Sequence, residues 1–327
     1  MRWLARLFAL AAIVALAVGG AALWAKGEFE KPGPLAEETT VQLPRGAGLN
    51  AIAAQLQDAG VIADGRIFRL GARWKDAARA LKAGEYAFPP GISMEDALAK
   101  VVAGDVVRRK VTVAEGLMSV EVLDRLASAE ALEGEVEGIP AEGSLAPETY
   151  LYERGDTRAD VIARMQAAQR ETLDALWEGR AENLPFDTKE QALVLASIVE
   201  KETGVAGERS EVAGVFVNRL RRGMPLQSDP TVIYGQTEGK RVFEGPIRRS
   251  HLDDENAWNT YRIKGLPPTP IANPGREAIA AVLNPADTDY LYFVADGTGG
   301  HAFARTLAEH NANVRKWREI ERQRNAQ

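Results

Sequence analysis

Glu200, Lys201 and Glu202 close an otherwise uncharged run of eight residues, Ala192 to Val199. A helix through this run is apolar all round, hence buried, and delivers a carboxylate at its last turn. At 100° per residue, Glu200 shares a face with Leu193, Ala196 and Ser197, and Glu202 points the other way with Leu195 and Ile198. Two of the residues beside Glu200 are small and leave room for something to lie against the helix. A glutamate emerging there has its charged form disfavoured by desolvation, as a general acid working near neutral pH requires. The competing reading is a charged final turn that only marks the surface, because perturbed carboxylates are often structural.

Two polar segments carry further candidates. Residues 224–235 read MPLQSDPTVIYG. Pro230 predicts an extended Asp229, so Gln227, Ser228 and Asp229 are expected on an irregular segment before a short strand, Val232 to Tyr234. Residues 256–270 read NAWNTYRIKGLPPTP and hold Asn259 and Tyr261. Aromatic faces beside amides and hydroxyls suit sugar rings, which offer both C–H faces and hydroxyls. Ordered loops with no ligand read equally well from composition, and Asp229 could serve as a structural cap. A third segment, 142–150 (EGSLAPETY), places Glu142 in a Gly/Pro-punctuated stretch expected as a surface loop.

The elements that must position these residues follow from periodicity. Thr188 and Gln191 form a capping-box pattern before the buried helix, and Gly204 stands where it stops. Amphipathic helices are expected over about 160–177, about 208–222 (closed by Gly223) and from Leu307 onward. Tyr290 to Ala295 reads as a buried strand turned by Asp296–Gly300 into His301. Residues 131–143 are acidic and turn-rich, and read as a loop or hinge. Upstream lies a weak repeat of strand, glycine turn and amphipathic helix. Its strands are 40–43, 84–88 and 110–113, its turns hold Gly46, Gly91 and Gly116, and an apolar residue follows each glycine by ten: Leu56, Val101, Leu126. Ser93 with Asp96 caps the second helix.

Composition bounds the chemistry. The 327 residues suffice for two domains, and 46% hydrophobic with 26% charged content is globular. The net charge of −6 leaves no basic field for nucleic acid. With no cysteine there are no disulfides, Cys-based zinc sites or thiol nucleophiles. The three histidines, His251, His301 and His310, lack metal-ligand spacing, so no metal is expected. Arg2 and Arg6 precede nineteen uncharged residues, Leu7 to Ala25, before Lys26. At about 1.5 Å each they span about 28 Å, enough to cross a bilayer core. The arginines keep the N-terminus in the cytoplasm and the rest of the chain outside. A cleaved signal would have a shorter apolar region and a small-residue cleavage site, which Leu23-Trp24-Ala25 does not supply. Gly27 to Glu38 reads as a polar linker.

ASIVEKET (196–203), VFVNRL (215–220), LQSDPTVIYG (226–235), WNTY (258–261), GLPPTPIANPG (265–275) and YLYFVADGTGGHAF (290–303), with HN at 310–311, resemble the YceG-like family, the MltG endolytic murein transglycosylases. The resemblance covers the chain from about Glu142 onward, and the repeat is consistent with that family's LysM-like module. It implies an α+β fold: an anchor over 1–26, a linker over 27–38, a LysM-like α/β module over 39–130 and a mixed α+β catalytic domain over 131–327. It further implies cleavage between N-acetylmuramic acid and N-acetylglucosamine in peptidoglycan, leaving 1,6-anhydromuramyl ends, by a chain held in the inner membrane. The family's catalytic glutamate falls on Glu200, and Glu142 on the glutamate of the family's EG-x-x-x-P-[DE]-T motif. Substrate-binding candidates are Glu142, Gln227, Ser228, Asp229, Tyr234, Asn259 and Tyr261. Where the family has aromatics near 144 and 146, this chain has Ser144 and Ala146, which removes stacking from that loop. No cofactor is expected. The partners implied are glycan strands, the membrane and, as neighbours, peptidoglycan synthases. Two other readings stand beside this one. The first is a non-catalytic glycan-binding scaffold. The second is a pyridoxal-phosphate lyase, for which Lys189 or Lys201 would have to serve without a recognisable phosphate loop.

Overall fold

The computed structural model describes residues 2–325. The fold is mixed α+β, and by packing it divides into two compact units. The first runs to Arg109 and adds 152–155; the second takes Lys110–Leu151 and the chain from Asp156 onward.

The first unit opens with helix α1 (Arg2–Glu30), long and apolar enough to cross a membrane. The linker expected from Gly27 is helical as far as Glu30. Lys26–Glu30 and Glu28–Lys31 pair along it, and Pro32 follows where the helix stops. Phe29, on this last turn, is buried against Gly71, whose missing side chain makes room for the ring. Strand β1 (Thr39–Leu43) and helix α2 (Leu49–Asp58) form the first repeat. Helix α3 (Gly65–Trp74), absent from the periodicity reading, starts at Asp64, which accepts the Arg66 and Ile67 amides. Strand β2 (Gly84–Phe88) and helix α4 (Met94–Ala103) form the second repeat, and Ser93 caps α4 as expected, accepting from the Asp96 amide at 3.0 Å. β1 and β2 pair antiparallel from Thr39↔Phe88 to Leu43↔Gly84. Leu43, Ile52, Leu56, Phe68, Tyr86, Phe88 and Leu98 fill the core beneath them.

Strand β3 (Arg108–Thr112) and helix α5 (Ser119–Ala127) form the third repeat, and the packing boundary falls inside β3. β3 pairs with β4 (Thr149–Glu153), so the surface loop expected at 142–150 becomes a strand at its end. Helix α6 (Arg158–Glu178) leads to α7 (Lys189–Glu202), the buried helix, capped reciprocally by Thr188 and Gln191. Helix α8 (Arg209–Arg221) packs on α7. Helix α9 (Asp229–Gly235) stands where a strand is expected. Pro230 lies in the first turn, where its missing N–H costs no intrahelical bond, and the extended residue is Ser228. Helices α10 (Arg249–Asp253) and α11 (Arg276–Leu283) follow. Strands β5 (Tyr292–Ala295) and β6 (His301–Ala304) form a hairpin that is half-buried rather than buried, covered by α12 (Leu307–Asn325). The core gathers α7, α8 and α11 around Leu195, Ile198, Val199, Phe216, Ile279 and Val282.

Candidate active site

The last turn of α7 splits its charges between two environments. Glu200 lies on the face predicted for it, but that face is filled by the chain itself. Ile271 donates its amide to Ser197 Oγ at 3.0 Å, and Gly275 donates its amide to Glu200 Oε2 at 2.8 Å. Arg209 approaches Glu200 at 3.5 Å and Glu115 at 3.3 Å. A Cβ on Gly275 would fall 1.9 Å from the Glu115 carboxylate, so only glycine admits this crowding. The Glu200 side chain is 5% exposed. Burial, reinforced by Glu115, raises its pKa, against the Gly275 amide and Arg209. Lys201 donates to the Gly116 carbonyl at 3.1 Å.

Glu202, read from the helical face as pointing the other way, accepts a hydrogen bond from Ser228 Oγ at 2.5 Å. Burial raises its pKa most strongly. The Ser228 hydroxyl opposes this, Asp229 adds to it, and His301 and Arg219 oppose it. Glu202 lines a cavity of about 350 Å³, within the size range of small-ligand sites, together with Gln227, Asp229, Tyr261, Arg219, Tyr292 and His310. Glu200 is not among the residues lining it.

The polar segments converge on this cavity. Gln227 is exposed with φ of 52°, a left-handed conformation uncommon for a side-chain-bearing residue, and its amide donates to the Thr260 carbonyl. Ser228 is buried between Glu202 and Thr260. Asp229 is exposed and accepts from the Tyr261 hydroxyl at 2.7 Å; burial, then that carboxylate, raises the Tyr261 pKa. The other three candidates lie elsewhere. Asn259 is fully buried. Its amide nitrogen donates to the carbonyls of His251, Leu252 and Asp254, and its oxygen accepts the Tyr261 amide, so it shapes the loop that carries Tyr261. Glu142 accepts from the Ser119 amide at 2.8 Å, the Ser119 hydroxyl at 3.1 Å and Asn273 at 3.3 Å, and burial raises its pKa. Tyr234 hydrogen-bonds the same carboxylate, and burial pushes its hydroxyl up to about 12. Glu142 and Tyr234 therefore belong to a knot completed by Asn273, which also accepts from the Leu145 amide.

Four residues of the site and its supporting loops carry no single-residue signal in the sequence. Arg219 is buried, donates to the carbonyls of Leu291 and Leu226, and lies over the Tyr292 ring. Its position in VFVNRL, directly after the uncharged run Val212 to Asn218, is the available clue. His301 pairs with Glu208 at 2.7 Å. His310 stacks on Tyr292, and burial lowers its pKa. Asn273 holds two loops together from within GLPPTPIANPG.

The model of the YceG-like family matches residues 41–316. The chain belongs to the YceG-like family. An endolytic murein transglycosylase of Bacillus subtilis is 30% identical over 92% of this chain and 91% of its own length. One of Streptococcus pneumoniae serotype 2 is 30% identical over 84% of this chain, which spans 57% of that longer protein. A crystal structure of a YceG-like protein from Listeria monocytogenes aligns with a TM-score of 0.51 at 29% identity, covering 84% of this chain and 98% of that one. Beyond this YceG-like core, α1 fits a membrane anchor.

Proposed function

We propose that the chain is an endolytic peptidoglycan lytic transglycosylase whose acid is Glu202. The observation that carries the assignment is the cavity. It gathers Glu202, Gln227, Asp229 and Tyr261, while Glu200 is occupied by the chain's own Gly275. Burial raises the Glu202 pKa, the direction a general acid requires.

In this reading Glu202 gives its proton to the oxygen linking N-acetylmuramic acid to N-acetylglucosamine. The bond from C1 of the muramyl ring to that oxygen breaks, and the substrate's N-acetyl group steadies the oxocarbenium-like centre. The muramyl O6 attacks C1 of its own ring, and its proton returns to Glu202. The Ser228 hydroxyl, already donating to Glu202, stabilises the carboxylate between the two transfers. The nucleophile is intramolecular, so no water-activating base is needed. An ordinary glycosidase needs a second carboxylate. Asp229 is the one such group lining the cavity, and Tyr261 already holds it. Gln227, Asp229 and Tyr261 are the sugar-contacting residues of this proposal; Glu142, Tyr234 and Asn259 act by holding the loops.

The wider setting is also proposed. α1 is anchored in the inner membrane with its arginine-bearing N-terminus in the cytoplasm, the LysM-like repeats over 39–130 hold or position glycan, and the synthases that extend nascent strands are its neighbours. The test is mass analysis of uncrosslinked glycan strands after incubation. New anhydro-muramyl ends support a lytic transglycosylase, ends one water heavier indicate hydrolysis through Asp229, and binding without new ends indicates the scaffold reading.

A further inference from the structure

We propose that α3 is an interfacial helix that docks on the acidic phospholipid headgroups of the leaflet α1 emerges from. The inference rests on reading α1 as membrane-spanning, and every observation lies within the first unit. From Gly65 to Lys75 the chain carries Arg66, Arg69, Arg73 and Lys75 and no carboxylate, within a protein of net charge −6. Lys75 pairs with Glu95, whereas the guanidinium groups of the three arginines have no carboxylate partner among the described residues. At 100° per residue they form one stripe, beside a second made of Ile67, Leu70 and Trp74. Leu70 and Trp74 are 55% and 67% exposed, although Phe68 and Ala72 on the opposite side are buried. A helix with a basic stripe beside an aromatic and aliphatic one matches helices that lie in the plane of a bilayer surface.

The position of α3 identifies the occupant. Its apolar stripe and α1 enclose a groove of about 220 Å³, to which α1 contributes Ala22, Ala25 and Phe29. Ala22 and Ala25 belong to the last turn of the uncharged run, and Lys26 marks its end. The groove therefore sits where a spanning helix leaves the hydrocarbon, the level at which tryptophans gather in membrane proteins. Trp24 on α1 and Trp74 on α3 are both exposed there. Phe29 packed against Gly71 keeps α3 beside the end of α1, within reach of the headgroups, and the arginines then decide whether it docks. The apolar face is then continuous with the lipid-facing surface of α1, and the arginines face phosphate.

The chain has no cysteine, so single spin labels can be introduced without background. Leu70→Cys, Leu16→Cys and Ala129→Cys are labelled separately in the full chain and reconstituted in phosphatidylcholine vesicles with or without phosphatidylglycerol. Collision with oxygen and with a water-soluble relaxer gives depth. The proposal expects the Leu16 label in the hydrocarbon, the Ala129 label in water, and the Leu70 label at the headgroup boundary when phosphatidylglycerol is present. Reversing the three arginines (R66E, R69E, R73E) lowers the docked-to-free ratio roughly 100-fold, about fivefold per residue, in those vesicles only. A Leu70 label in water beside a buried Leu16 label overturns the proposal and leaves the anchor standing. A Leu16 label in water overturns both. A Leu70 label shielded through spin–spin coupling that disappears on dilution with unlabelled chain identifies a second copy as the occupant and also overturns it. Arginine reversal with no effect on depth does the same.

Discussion

In the proposed reaction, Glu202 and Ser228 set the chemistry through one hydrogen bond. The Ser228 hydroxyl favours the carboxylate, while burial favours the neutral acid. Activity needs the protonated form, so the rate declines as pH rises through the folded-state pKa of Glu202. Ser228→Ala removes the group that favours the carboxylate, raises that pKa further, and moves the alkaline limb of the kcat/KM profile to higher pH. An unmoved limb would show that another group sets it. Stability carries the same sign. The folded pKa lies above the unfolded value of 4.5, so the folded state binds the proton more tightly. Stability is greatest below that value and falls as pH rises through the folded one. Glu202→Gln escapes this loss, so its Tm relative to wild type is expected to climb as pH rises above the unfolded value of 4.5. A constant difference over that range would remove burial as the cause.

At the level of elements, the proposed acid is presented by a buried helix whose neighbours are fixed by side-chain knots. Asn273 joins the loops at 117–119 and 142–145 to the segment leading into α11. Asn273→Ala leaves the Leu145 amide without its acceptor and is expected to destabilise the second unit by about 2–3 kcal/mol, measured by denaturant unfolding. A loss under about 0.5 kcal/mol would show that the knot contributes little. The sequence exposes most of this scale. The capping box at Thr188, the ends of α7 and α8, and the three strand-turn-helix repeats follow from residue type and period. Helix α9 does not, because Pro230 forbids a helix interior but suits a first turn, and the residues alone do not say which position it occupies. Nor does the choice between Glu200 and Glu202. Helical angles separate their faces correctly, yet which face meets solvent depends on where the 271–275 segment lies. The space predicted beside Ala196 and Ser197 exists, and the chain's own backbone occupies it.

Over the whole molecule, α1 is continuous with the first unit through Phe29. Phe29→Ala opens a cavity against Gly71, and a loss of about 3–5 kcal/mol is expected in the stability of that unit. Faster hydrogen exchange in the β1 and β2 amides, with exchange unchanged in α7 and α8, would report it. Equal acceleration in both units would mean that they unfold together. Apolar length and flanking charge reveal the spanning stretch in the sequence, but not where the helix ends, since Phe29 reads as part of a polar linker until its packing partner is known.

In the proposed reaction Glu202, not Glu200, transfers the proton. The most direct test is the rate of anhydro-muramyl end formation from uncrosslinked glycan strands by wild type, Glu202→Gln and Glu200→Gln, each confirmed as folded. Loss of about 10²–10⁴-fold in Glu202→Gln, with Glu200→Gln within about tenfold of wild type, is the predicted result. The reverse order, activity retained in Glu202→Gln and lost in Glu200→Gln, would contradict it.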